Sequence, residues 1–197
     1  IDGDPIDAYC DERALSIDAR LQLVEDVGTA VQHAHQALII HRDLKPSNIL
    51  VSDPGVADTG HGTVKLLDFG IAKLLDTEAL ASQLSIIETR EGQAPMTPAY
   101  AAPEQLLGQP VTVATDVYQL GTILYELLVG QRPFDSFVGS PHQATLAIVE
   151  EEALPPSQMA RQMNERLVEV RSASTVENLA RMLSGDLNTL VLKALRK

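Results

Sequence analysis

His41-Arg42-Asp43-Leu44-Lys45-Pro46-Ser47-Asn48 places one carboxylate, one ammonium and one amide on a short polar stretch that follows the apolar run Leu38-Ile39-Ile40. Asp43 can accept a hydroxyl proton or orient the hydroxyl. Lys45 can neutralise charge on a transferring phosphoryl group. Asn48 offers an oxygen ligand to a hard cation such as Mg²⁺, and Pro46 stiffens the loop between them. Any one of these residues alone reads as part of an ordinary polar surface loop. What flanks the octet therefore decides its meaning.

Upstream, Leu21, Val24, Val27, Val31 and Ala34 recur at helical spacing, and Ser16 stands where a cap belongs, so an amphipathic helix is expected over 16–36. Downstream, Ile49-Leu50-Val51 and Val64-Lys65-Leu66-Leu67 read as two short strands. The turn-forming stretch SDPGVADTGHGT lies between them. The second strand leads directly into Asp68-Phe69-Gly70, a carboxylate at a strand end followed by a flexible pivot, which is a plausible metal site. From Ala72 to Ala99 no period is sustained, and a loop of that length in a domain is usually functional or disordered.

Beyond the loop stand Thr97-Pro98-Ala99-Tyr100-Ala101-Ala102-Pro103-Glu104 and then Asp116-Val117-Tyr118-Gln119-Leu120-Gly121. The second opens a helix, 115–129, that is apolar almost all round and so belongs in the middle of a core, with Gly130 to end it. A surface helix is expected over 143–152, before the breaker pair Pro155-Pro156, and weakly patterned helix over 159–184. A last helix, 187–195, has Asp186 near its start and Lys193, Arg196 and Lys197 near its end, the charge order that suits a helix dipole. The content is mostly helical with a small β element: a single α-rich domain of α+β class.

The 197 residues are 45% hydrophobic, contain no Trp, and carry a net charge of −12. That balance argues against nucleic acid or an anionic membrane surface as a partner, and attraction of basic peptides is its weaker functional reading. A lone cysteine, Cys10, cannot form an internal disulfide, which fits a reducing, cytoplasmic setting. No apolar run is long enough to span a bilayer. The chain opens at Ile1 without a Met and stops at Lys197 inside a helical pattern, so both ends are expected to be cuts within something longer.

The order HRDxxxxN, then DFG, then an Ala-Pro-Glu triplet closing a loop is the protein-kinase signature set, and the sequence resembles that family along nearly its whole length. Lys45 two residues after Asp43 is the Ser/Thr form. The PAYAAPEQ and GDLNTLVLKALRK segments look most like bacterial members.

The resemblance implies a kinase-like C-terminal lobe over 1–197 with a small β-hairpin at the cleft. It implies ATP and Mg²⁺ as cofactors, proteins as substrates, and self-association for autophosphorylation as a possible further contact. By similarity, Asp43 orients and deprotonates the substrate hydroxyl, Lys45 stabilises the γ-phosphate, and Asn48 and Asp68 hold Mg²⁺. Leu50 lies under the adenine ring, with Ile6 beside it. His41 and Phe69 belong to a stacked apolar column, with Gly70 as the pivot. Thr97 bonds Asp43 and Lys45 from the substrate loop. Asp116 accepts N–H bonds from the His41-Arg42 turn. Arg42 pairs with a phosphate on the activation loop, where Ser82, Ser85, Thr89 and Thr97 are on offer. Thr89 is the expected phosphosite, about two turns' worth of chain before Thr97.

Met96 stands where Gly commonly precedes the Thr, and Tyr118 where Trp is common. Neither removes chemistry. The stretch Ser52 to Thr63 is longer than the usual hairpin, with no function assigned. The family's Gly-rich loop, ATP-contacting Lys and helix-C Glu would lie upstream, and the Arg that pairs with Glu104 would lie downstream. The isolated chain is therefore expected to be inactive, and destabilised by an unpaired buried Glu104. The rival readings are a pseudokinase-like binding or regulatory module and a small-molecule phosphotransferase of kinase-like fold. The full DFG-to-APE loop argues against the latter.

Overall fold

The computed structural model describes residues 2–53, 62–68, 99–135 and 141–197. A two-residue strand, β1 (Asp4–Pro5), runs straight into helix α1 (Ile6–Glu12). Neither element was legible beforehand: β1 is too short to show alternation, and α1 has no side-chain cap to announce it.

Helix α2 (Ile17–Gln36) begins as expected, with the Ser16 side chain accepting the Ala19 N–H, and buries Leu23, Val24, Val27 and Val31 along one face. A 3₁₀ turn over Pro46–Asn48 then delivers the chain to β2 (Ile49–Ser52), which pairs antiparallel with β3 (Thr63–Leu66) in the register Ile49↔Leu66 to Ser52↔Thr63. The expected hairpin is present, but β1 pairs with the free edge of β2, Asp4 opposite Val51 and Pro5 opposite Leu50, giving a three-stranded antiparallel sheet. Pro5 lacks an N–H and sits on an edge strand, where one is least missed.

Downstream come the short α3 (Pro103–Leu106) and the central α4 (Val113–Val129). The latter starts two residues before the expected position because Thr112 supplies the cap, its side chain accepting the Ala114 N–H. Its other end is closed by Gly130 in the left-handed conformation, φ 78°. Twelve of its residues are buried, including Ile123, Leu124, Leu127 and Leu128, so it forms the axis of the core. Helix α2 lies along it, and α9 (Asp186–Ala194) crosses it where Gly121 has no Cβ to strike Ala194.

Between these come α5 (Pro141–Glu150), α6 (Pro156–Ala160), α7 (Glu165–Glu169) and α8 (Val176–Met182). The weak pattern over 159–184 thus resolves into short helices. Asn164 and Thr175 each cap a new start with a side-chain oxygen, and these interruptions erase any long period.

Two fully buried arginines tie the end of α4 to the rest. Arg20 donates to the carbonyls of Cys10, Leu15, Leu127 and Val170 and to Asp11 Oδ1 at 2.7 Å. Arg171 donates to the carbonyls of Leu128 and Leu167 at 2.8 and 3.0 Å. The last turn of a helix leaves its carbonyls unpaired and carries partial negative charge, so guanidinium donors are well matched to it. Burial, reinforced by the adjacent Arg20 charge, pushes the Arg171 guanidinium down to about 10.

Candidate active site

The backbone of the 41–48 stretch is held by side chains from elsewhere in the fold. Asp116, one turn into α4 and fully buried, accepts the N–H of His41 at 2.8 Å on one oxygen and that of Arg42 at 2.8 Å on the other. It also pairs with His35 Nε2, from the end of α2, at 2.7 Å. Arg42 adopts φ 69°, a conformation costly for a side chain of its size, so this turn needs an external clamp.

The next residue, Asp43, presents a carboxylate that is partly open to solvent. Lys45 Nζ donates to its Oδ2 at 2.9 Å. Asn48, nearly buried, donates from Nδ2 to the Asp43 carbonyl at 2.8 Å and to Oδ2 at 3.3 Å. Those bonds orient the Asn48 amide and direct its hydrogens at Asp43, leaving Oδ1 as the atom suited to a cation.

Asp68 is joined to this group through its neighbour. The Leu67 N–H donates to the Asn48 carbonyl at 2.9 Å, and His41 Nε2 meets the Leu67 carbonyl at 2.9 Å. Asp68 follows at once, exposed, with φ 46°. The donor set is therefore one amide oxygen and one carboxylate. These are hard oxygen ligands, too few to enclose Mg²⁺ alone and suited to a Mg²⁺ that keeps waters and phosphate oxygens. Among the described residues no group of three or more His, Cys, Asp or Glu could hold a metal.

Leu50 is half-buried in the middle strand between Pro5 and Lys65, keeping part of its surface open. Ile6 differs from expectation. It is fully buried in the core at the start of α1 and offers no surface to a nucleotide. Glu104 also departs from the picture of a buried orphan, because it is half-buried and accepts a hydrogen bond from the fully buried Thr115 hydroxyl. The destabilisation expected from an unpaired Glu104 thus loses its premise. Phe69, Gly70, Thr89 and Thr97, like Ser82, Ser85 and most of the 52–63 stretch, lie outside the described residues.

Sequence reading assigned nothing to Gln105 and Gln119. The Leu44 N–H donates to Gln119 Oε1 at 3.0 Å, and Gln105 Nε2 donates to the Arg42 carbonyl at 2.8 Å. It likewise missed Tyr100, whose hydroxyl donates to Glu126 at 2.6 Å. Burial raises the Glu126 carboxyl, and the Tyr100 bond pulls it back down. Burial, together with that same bond, raises the Tyr100 phenol. Such partners are side chains far apart in sequence, and no spacing rule brings them together.

Residues 2–191 match the family model described as protein kinase domain. A probable serine/threonine-protein kinase of Clostridium perfringens is 31% identical over 191 residues, which is 97% of this chain and 22% of that protein. The serine/threonine-protein kinase PknA of Mycobacterium tuberculosis is 39% identical over 135 residues, 68% of this chain and 28% of that protein. The serine/threonine-protein kinase PkaB of Streptomyces coelicolor is 36% identical over 182 residues, 91% of this chain and 41% of that protein. The chain thus spans between 22% and 41% of the length of these relatives.

Proposed function

The chain belongs to the protein kinase family, and from that membership we propose that its parent protein transfers the γ-phosphoryl group of ATP to Ser and Thr hydroxyls of proteins. In this reading the chain supplies the C-terminal lobe of the catalytic domain. The observation that carries the reading is the Asp43–Lys45–Asn48 cluster: a partly exposed carboxylate with an ammonium 2.9 Å away and an oriented amide beneath it.

In this reading Asp43 accepts the hydrogen of the incoming hydroxyl and aims its oxygen at the γ-phosphorus. An O–P bond forms there while the bond from that phosphorus to the β–γ bridging oxygen breaks, ADP leaves, and the proton passes from Asp43 to solvent. Lys45 faces the charge on the transferring group. Asn48 and Asp68 would hold Mg²⁺, which neutralises the phosphates when bound. Leu50 offers an apolar surface to the adenine. Thr97 in the substrate loop, a phosphate on Thr89 paired with Arg42, the His41–Phe69 column and the Gly70 pivot complete the proposal. So do self-association for autophosphorylation and a cytoplasmic setting. Among the described residues no helix is long and apolar enough to cross a membrane.

The test is phosphate transfer from Mg-ATP to itself and to a generic basic protein by the full gene product, with Asp43→Asn alongside. Transfer to Ser or Thr that disappears in the variant is expected. No transfer, or transfer undiminished by the substitution, overturns the reading.

A further inference from the structure

Asp43 is the pivot of the cluster, and its own carbonyl accepts from Asn48 Nδ2 at 2.8 Å. The peptide groups on either side of it meet two glutamines. On the C-terminal side, the Leu44 N–H donates to Gln119 Oε1 at 3.0 Å. On the N-terminal side, the Arg42 carbonyl accepts from Gln105 Nε2 at 2.8 Å and from Gln119 Nε2 at 3.3 Å. The glutamines also bond each other, Gln119 Nε2 to Gln105 Oε1 at 2.9 Å, and Gln105 Oε1 takes the Ala102 N–H at 3.0 Å.

The pattern is self-consistent. Turning the Gln119 amide over would set its NH₂ against the Leu44 N–H, and turning Gln105 over would set its NH₂ against the Ala102 N–H and the Gln119 NH₂. One arrangement satisfies every group. Gln119 is 2% exposed, and its neighbour Leu44 is fully buried, so water cannot replace the bond between them.

We propose that Gln119 and Gln105 are positioning residues for the reaction, an amide pair that fixes Asp43 through the peptide on each side of it and ties it to α3. The inference rests on the kinase reading above. Because α3 follows directly on the Tyr100–Ala102 stretch, the pair also sets the distance between Asp43 and that stretch. Neither glutamine touches substrate. Each acts by keeping the carboxylate within the narrow range of positions that in-line transfer needs.

The test compares Gln119→Met, Gln105→Met and the double variant in the full gene product. Methionine keeps length and bulk but can neither accept the Leu44 N–H nor donate to the Arg42 carbonyl. For Gln119→Met, kcat is expected to fall on the order of 10²-fold, the loss that follows from a small misplacement of a reacting group, with KM for Mg-ATP unchanged. The double variant is expected to be little worse than Gln119→Met, because both side chains act on one segment. Unchanged kcat, or a loss confined to KM, overturns the proposal.

Amide hydrogen exchange gives an answer independent of activity. In Gln119→Met the Leu44 amide loses protection while those of Val27 and Leu128 keep theirs, and a Leu44 amide as protected as in the wild type overturns the proposal. If the wild type transfers no phosphate, the kinase reading has failed and the exchange experiment still decides the clamp. If Gln119→Met does not fold, the half-buried Gln105→Met carries the kinetic test, with a smaller fall in kcat at constant KM.

Discussion

The carboxylate of Asp116 reaches the backbone N–H of Arg42 at 2.8 Å across a sequence separation of 74. It takes the His41 N–H at the same distance on its other oxygen. Alanine at 116 would leave two N–H groups and the partly exposed His35 ring without this buried acceptor. A loss of about 3 kcal/mol is expected, read from urea unfolding of this chain. Asp116→Asn keeps one acceptor oxygen and should lose less. A cost below about 1 kcal/mol for the alanine variant would mean that the turn holds itself.

Leu38 adopts φ 59° with its side chain 93% exposed. It incurs left-handed strain and gains no burial in return. The strain is about 1–2 kcal/mol, and glycine gives back about 0.5–1 kcal/mol in unfolded-chain entropy. Leu38→Gly should therefore stabilise the chain by about 0.5–1 kcal/mol, raising Tm by about 2 °C. A lower Tm would show that the exposed leucine contributes more than its backbone costs.

Arg20 has five oxygen partners arranged around one planar guanidinium. Lysine keeps the charge but offers a point cation with three donors, which cannot span that ring of acceptors. Arg20→Lys should destabilise by about 3 kcal/mol or more, since several buried carbonyls lose their donor at once. Denaturant unfolding measures it, and a near-neutral result would mean that the site relaxes to admit water.

Burial pushes the Cys10 thiol up to about 11 from a reference of 9.0. The folded chain thus holds its proton to higher pH than the unfolded chain does, and stability should fall as pH rises from about 9 to about 11. In the same way, alkylation of native Cys10 at pH 8 should be far slower than that of the denatured chain, because both thiolate and access are suppressed. Equal rates in the two states would contradict the burial.

Proximity along the chain decided what could be read in advance. Asp43, Lys45 and Asn48 sit within one eight-residue motif, so their closeness could be anticipated, whereas Asp116 was placed beside them only through the family resemblance. The Ser16 cap and apolar face announce α2, and the apolar run and Gly130 announce α4, although its Thr112 cap went unread. What stayed hidden depends on distance along the chain. The amide pair Gln105 and Gln119 gains its meaning only once α3 and α4 converge. The strand that leads into the buried Ile6 is too short to leave a pattern. The Thr115 hydroxyl that meets Glu104 is supplied from a helix eleven residues later.

The Arg20 cluster has a consequence for synthesis. Its acceptors lie close by at Leu15 and Cys10 but also 107 and 150 positions downstream, at Leu127 and Val170. A growing polypeptide therefore carries that guanidinium hydrated, beside a half-assembled core, until residue 170 has cleared the ribosome. Helices α1 and α2 can form as soon as they emerge, but the joint that locks them to α4 closes only after Val170 has followed. Long-range closure of that kind slows folding and leaves this part of the core exposed to aggregation while the intervening 150 positions are made.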